Sequence, residues 1–103
     1  MQLMKHTYKD LIKKTWDFLA WAGNLTQREE IKGEEYFFEW TQWDNSDQKQ
    51  ILMTLRLALF NDCVAITTWQ EDEQGTERRS VSVTSVEQGM AIINYFTNIT
   101  TEE

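Results

Sequence analysis

The chain has no proline, one cysteine, one histidine and four glycines in 103 residues. Each scarcity excludes something. One cysteine cannot form an internal disulfide, which points to a reducing compartment. One histidine and one cysteine cannot complete a usual four-ligand zinc site. The few glycines form no phosphate-binding loop, since Gly75 stands alone in its segment. No carboxylates fall at EF-hand spacing, so no metal and no cofactor is expected. Apolar runs are short of the roughly 18 residues that cross a bilayer, and the N-terminus has no signal-like apolar core. Together these features lead to the expectation of a cytoplasmic protein with no membrane contact.

Bases are outnumbered as well: 10 Lys and Arg stand against 17 Asp and Glu, for a net charge of -7. Binding a phosphate backbone needs clustered cations, so direct contact with nucleic acid is not expected. What is abundant is aromatic surface, with five Trp, five Phe and three Tyr. So many large side chains bury enough area to offset chain entropy, and a single domain over residues 1–103 is expected.

Residues 5–22 read as a helix. Tyr8, Leu11, Ile12, Thr15, Leu19 and Ala22 recur at three- and four-residue spacing, and Gly23-Asn24 supplies the stop. A second helix spans 86–98. Ser85 and Gln88 make a capping box, and Val86, Met90, Ile93 and Tyr95 or Phe96 supply an apolar stripe. Between them, 34–43, 63–71 and 78–84 are strands by composition. Residues 50–60 favour helix by propensity but alternate in polarity as a strand does. Register decides the matter. An Asn61-Asp62 turn sets Leu59 against Val64 and Leu57 against Ile66. A loop at 45–48 sets Trp40 against Met53 and Phe38 against Leu55. A loop at 73–76 sets Ile66 against Val83 and Glu71 against Arg78. One assignment then gathers apolar side chains on one face of all four strands. The predicted fold is α+β: a four-stranded antiparallel meander with an N-terminal and a C-terminal helix on one face, in the order α-β-β-β-β-α. A short extra strand at 27–31, turning at Lys32-Gly33, is compatible with it.

That register leaves a second sheet face carrying Phe37, Trp43, Arg56, Phe60 and Trp69 beside Glu35 and Glu39. It is too apolar for plain solvent and too charged for a closed core. Aromatics and arginine are enriched at protein interfaces. The bland alternative is that these rings fold over one another as a small local cluster. The leading expectation is a non-enzymatic protein-interaction module (an adaptor, chaperone or protein inhibitor) that binds another protein or itself, as a homodimer, through these five residues. The alternative is a nucleic-acid-mimicking inhibitor of a DNA- or RNA-binding enzyme, acting through Glu71, Asp72, Glu73 and Glu77. A ligand pocket lined by Trp16, Trp21 and Trp40 competes with simple core packing of those rings. No catalytic residue is expected. His6 lies near the chain start beside lysines, and Cys63 has no base nearby in sequence. Lys5, Lys9 and Lys13 form a stripe on the first helix, read as a solvated face.

Overall fold

The computed structural model describes residues 3–22, 25–44, 48–72 and 75–97. The elements are α1 (Lys5–Ala22), β1 (Leu25–Ile31), β2 (Glu35–Asp44), β3 (Lys49–Leu59), β4 (Val64–Asp72), β5 (Gly75–Val83) and α2 (Val86–Thr97). The five strands form one antiparallel sheet in the order β1-β2-β3-β4-β5, and the fold class is α+β as expected.

The ambiguous segment 50–60 lies in β3 up to Leu59, with Phe60 just beyond it, and the strand's side chains alternate between buried and half-buried along most of its length. Its pairings with β2 and β4 follow the expected register, with Trp40 opposite Met53, Phe38 opposite Leu55 and Leu57 opposite Ile66. The Asn61-Asp62 turn is closed by Phe60 N–H donating to the Cys63 carbonyl at 2.9 Å.

Two corrections apply. The sheet has five strands rather than four, because β1 is a full edge strand beside β2. Its sequence, LTQREEI, is mostly polar, as an edge strand tolerates. It joins β2 through Lys32 and Gly33, whose φ values of 56° and 70° are the left-handed pair of a tight hairpin. The second correction is the β4–β5 register. Val64 pairs with Val83 and Glu71 with Thr76, two residues from the expected alignment, so the Glu71–Arg78 pair is replaced by Trp69 opposite Arg78. Strand β5 starts at Gly75, at a φ of 134°. A shift of two preserves which face each side chain takes.

The first face carries Phe38, Trp40, Met53, Leu55, Leu57, Val64, Ile66 and Val83, all nearly without exposure. Both helices cover it. From α1 come Tyr8, Leu11, Thr15 and Leu19, and from α2 Gly89, Ile93 and Thr97, each set at helical spacing. Two cation–π contacts lie along its edges. Arg28 of β1 sits 3.8 Å from the centroid of the Trp16 ring, and Arg79 of β5 lies 6.0 Å from Phe96. Half of the capping box forms: Ser85 Oγ accepts from Gln88 N–H at 3.1 Å, while Gln88 Oε1 accepts from Thr84 N–H, one residue before the cap, at 3.0 Å. Lys5, Lys9 and Lys13 are exposed. Neither helix is long and apolar enough to cross a membrane.

One buried group titrates unusually. Tyr8 is 1% exposed, and its hydroxyl has no hydrogen-bond partner among the described residues. Burial, then the nearby carboxylates of Glu30, Glu35 and Glu34, push the phenol above its ordinary value near 10. The unfolded chain therefore releases this proton first, and stability falls as pH rises past about 10. We expect Tyr8→Phe to be neutral or stabilising by up to about 1 kcal/mol at pH 7. It should also flatten the alkaline limb, as followed by urea unfolding from pH 7 to 11. An unchanged alkaline slope would contradict this account.

Candidate functional site

The open face is best described by its cross-strand rows. The central row runs Glu29, Phe37, Arg56, Thr67, Ser80, one residue from each strand. The next row holds Glu39, Thr54, Trp69 and Arg78, on β2 to β5. On the other side lie Ile31, Glu35, Ala58, Ala65 and Ser82. Alternation along each strand places all of them on the side away from the helices.

Arg56 organises the centre. Its Nη2 donates to Thr67 Oγ1 at 3.3 Å, and Thr67 Oγ1 shares a 3.0 Å hydrogen bond with Ser80 Oγ. The guanidinium lies 5.6 Å from the Trp69 ring centroid. Thr67 is fully buried although it stands on the open face, so side chains of this layer close over it. Arg56 Nε is also buried, with no acceptor among the described residues. Beside Arg56, Glu29, Phe37, Phe38, Glu39 and Thr54 line a depression of about 160 Å³. Phe37, Arg56 and Trp69 are half-buried.

The five residues picked from the sequence share this face but form no single patch. Phe37, Arg56 and Trp69 are neighbours in two adjacent rows. Trp43, 49% exposed, lies six residues from Phe37 along β2, about 20 Å away. Phe60, 50% exposed, follows the end of β3 on the opposite side, roughly 13 Å beyond Arg56. The alternative of a local cluster of Phe37, Phe60 and both Trp is therefore not assembled. Sequence reasoning missed Glu29, which β1 brings beside Phe37, and the buried Thr67 under Arg56. The alternation of β1 could have disclosed Glu29 once its hairpin turn was accepted.

Of the four acids, the two whose side chains are described lie on opposite faces of the sheet. Glu71 falls on the open face and Glu77 on the helix side, where its carboxylate is 3.7 Å from Arg79. Asp72 ends β4, its side chain lying outside what is described, and Glu73 lies outside the described residues altogether. Of the three Trp weighed as pocket walls, Trp40 is fully buried and Trp16 lies against Arg28. The Trp21 side chain is outside the described residues. His6 is out in solvent, 3.7 Å from Asp10, and Cys63 is half-buried as a free thiol. Among the described residues no group of three His, Cys, Asp or Glu side chains is arranged to hold a metal ion.

No protein-family model, curated protein or solved structure matches this chain. Function therefore has to be argued from the geometry of the face.

Proposed function

We propose that the chain is a non-catalytic interaction module that binds a protein through its open sheet face, with Phe37, Arg56 and Trp69 at the centre and Trp43 and Phe60 at the two ends. The observation that carries this reading is a sheet face left uncovered by helices on which Phe37, Arg56 and Trp69 stand together among polar and charged neighbours. A fixed arginine beside two aromatic rings is the kind of cluster on which binding energy concentrates.

The test is a hydroxyl-radical footprint of Phe37, Trp43 and Trp69. Dilute purified protein is compared with the same protein in a concentrated extract of the cell that makes it. These residues should become shielded in the extract, while Tyr95, 73% exposed on α2, keeps its reactivity. Trp43→Ala and Trp69→Ala should each weaken binding about tenfold or more. Trp43→Ala should leave the thermal midpoint nearly unchanged, because the ring is half out in solvent. Face residues that react equally in both samples would overturn the reading.

A further inference from the structure

We infer that copies of this chain join head to tail through the two edges of the sheet, β5 of one copy adding to β1 of the next as a parallel pair. The edges are separate from the open face, and the inference stands without the reading of that face.

Topology is the first argument. Neighbouring strands are antiparallel and five in number, so the two edge strands β1 and β5 run in the same direction. A second copy set beside the first in the same orientation extends the sheet with its β1 parallel to β5 and its helices on the same side. The edges are accessible. Arg28, Glu29 and Glu30 on β1 are exposed, as is every residue of β5 from Gly75 to Ser80. Proline and bulges commonly close an edge strand to such pairing. Strand β5 has no proline, and its nine residues pair with β4 without a shift. The irregularity in β1 lies between Leu25 and Gln27, ahead of the charged stretch.

Charge fixes the register. In chain order β1 reads Arg28-Glu29-Glu30 and β5 reads Glu77-Arg78-Arg79, the same pattern with every sign inverted. Laid parallel, Glu77 meets Arg28 of the next copy, Arg78 meets its Glu29 and Arg79 meets its Glu30. Arg78 and Glu29 share the open side, and the other two pairs share the helix side. A slide of two residues, the smallest that keeps the faces, sets Arg79 against Arg28 in one direction and Glu77 against Glu30 in the other. Pairing β5 with a second β5 about its charged stretch opposes Arg78, Arg79 or Glu77 to its own counterpart. Among the described residues Glu29, Glu30 and Arg78 form no ion pair, and Arg79 meets only Glu77, at 3.7 Å.

The backbone accepts this register. The Phe60 N–H to Cys63 carbonyl bond marks the even-numbered residues of β3 as those bonded to β4. Alternation carried across the sheet leaves Thr76, Arg78 and Ser80 of β5, and Arg28 and Glu30 of β1, with N–H and C=O directed outward. Opposite Glu29, Arg78 stands between Arg28 and Glu30 of the next copy. Its N–H then donates to the Arg28 carbonyl, and its carbonyl accepts from Glu30 N–H. Because the two joined surfaces differ, the contact repeats from copy to copy instead of closing a pair.

Sedimentation velocity on the full chain across a concentration series is the test, together with two edge variants and amide exchange. The wild type should pass from the 12.3 kDa of one chain through the dimer to larger species as concentration rises. Arg78→Glu with Arg79→Glu makes both edges acidic, and Glu29→Arg with Glu30→Arg makes both basic. Each variant alone should associate at least tenfold more weakly. An equimolar mixture should recover assembly, since each variant's altered edge matches the other's. In the assembled wild type the outward amides of Glu30, Arg78 and Ser80 should exchange at least tenfold more slowly than in the dilute monomer. Circular dichroism confirms that the variants are folded, and the wild-type measurements require no variant. A wild type that stays monomeric at several hundred micromolar overturns the inference. So does association that leaves those three amides unprotected, or a mixture of folded variants that fails to assemble.

Discussion

Trp40→Ala is expected to lower the thermal midpoint by roughly 15–30 °C. The side chain is fully buried on β2, between Leu25 of β1 and Met53 of β3 in the register. Removing a buried Trp costs about 3–5 kcal/mol in lost transfer energy and residual cavity. A domain of this size is stable by only about 5–15 kcal/mol, and each kcal/mol moves its midpoint by roughly 4–8 °C. A polar consequence follows as well. The indole Nε1 donates to Gln42 Oε1 at 2.8 Å, and Gln42 Nε2 donates to the Thr97 carbonyl at 2.8 Å. Trp40 thereby orients the glutamine that ties the last turn of α2 to the sheet. Trp40→Phe keeps most of the apolar volume and removes the N–H, so it should cost about 1–2 kcal/mol. It should also speed amide exchange at the end of α2 more than in β3. Circular dichroism melting and hydrogen exchange read the two effects separately. A midpoint within 5 °C of wild type for the alanine variant would show that this ring does not hold the core together.

The same tryptophan indicates what could be read in advance. Its face was legible because a period of two over β2, β3 and β4 leaves one consistent way to bury Phe38, Trp40, Met53, Leu55, Leu57 and Ile66. The β4–β5 alignment was not legible to the same degree. Sliding β5 by two residues exchanges Val81 and Val83 opposite Ile66, and the apolar pattern accepts either. What decides it is the shorter connection, with Asp72 paired to Gly75. Strand β1 was faint for another reason. Only Leu25 and Ile31 are apolar in it, and its place at the edge depends on backbone pairing and on the Arg28–Trp16 contact, neither of which has a periodic signature. At the candidate site, alternation assigned Phe37, Trp43, Arg56, Phe60 and Trp69 to one face but did not measure how far apart they lie along it. The burial of Thr67 beneath Arg56 depends on a side-chain conformation that composition does not encode.

Gly89→Ala is expected to destabilise the protein by about 1–2 kcal/mol, although alanine is the better helix former by about 1 kcal/mol. The reversal comes from α1. A Cβ on Gly89 would lie 2.6 Å from Leu11 Cδ2, 3.0 Å from Cδ1 and 3.4 Å from Cγ. Leu11 is fully buried in the core, so its whole side chain would have to move against close-packed neighbours. Overpacking of this kind costs about 1–3 kcal/mol. The adjacent contact between the helices, Thr15 Oγ1 to Met90 Sδ at 3.8 Å, is held by the same close approach and would lengthen with it. Gly89→Val, with a larger group at the same point, should cost more than 3 kcal/mol by forcing α2 away from α1. The decisive case is the Leu11→Ala background. Leu11→Ala alone should cost about 2–5 kcal/mol by leaving a cavity. In that background the clash is gone, so adding Gly89→Ala should stabilise by about 1 kcal/mol, through helix propensity and partial filling of the cavity. Urea unfolding of the four proteins closes the cycle, with a coupling of about 2–3 kcal/mol between the two sites. If Gly89→Ala carries the same sign in both backgrounds, the close approach of α1 and α2 is not what requires glycine at this position.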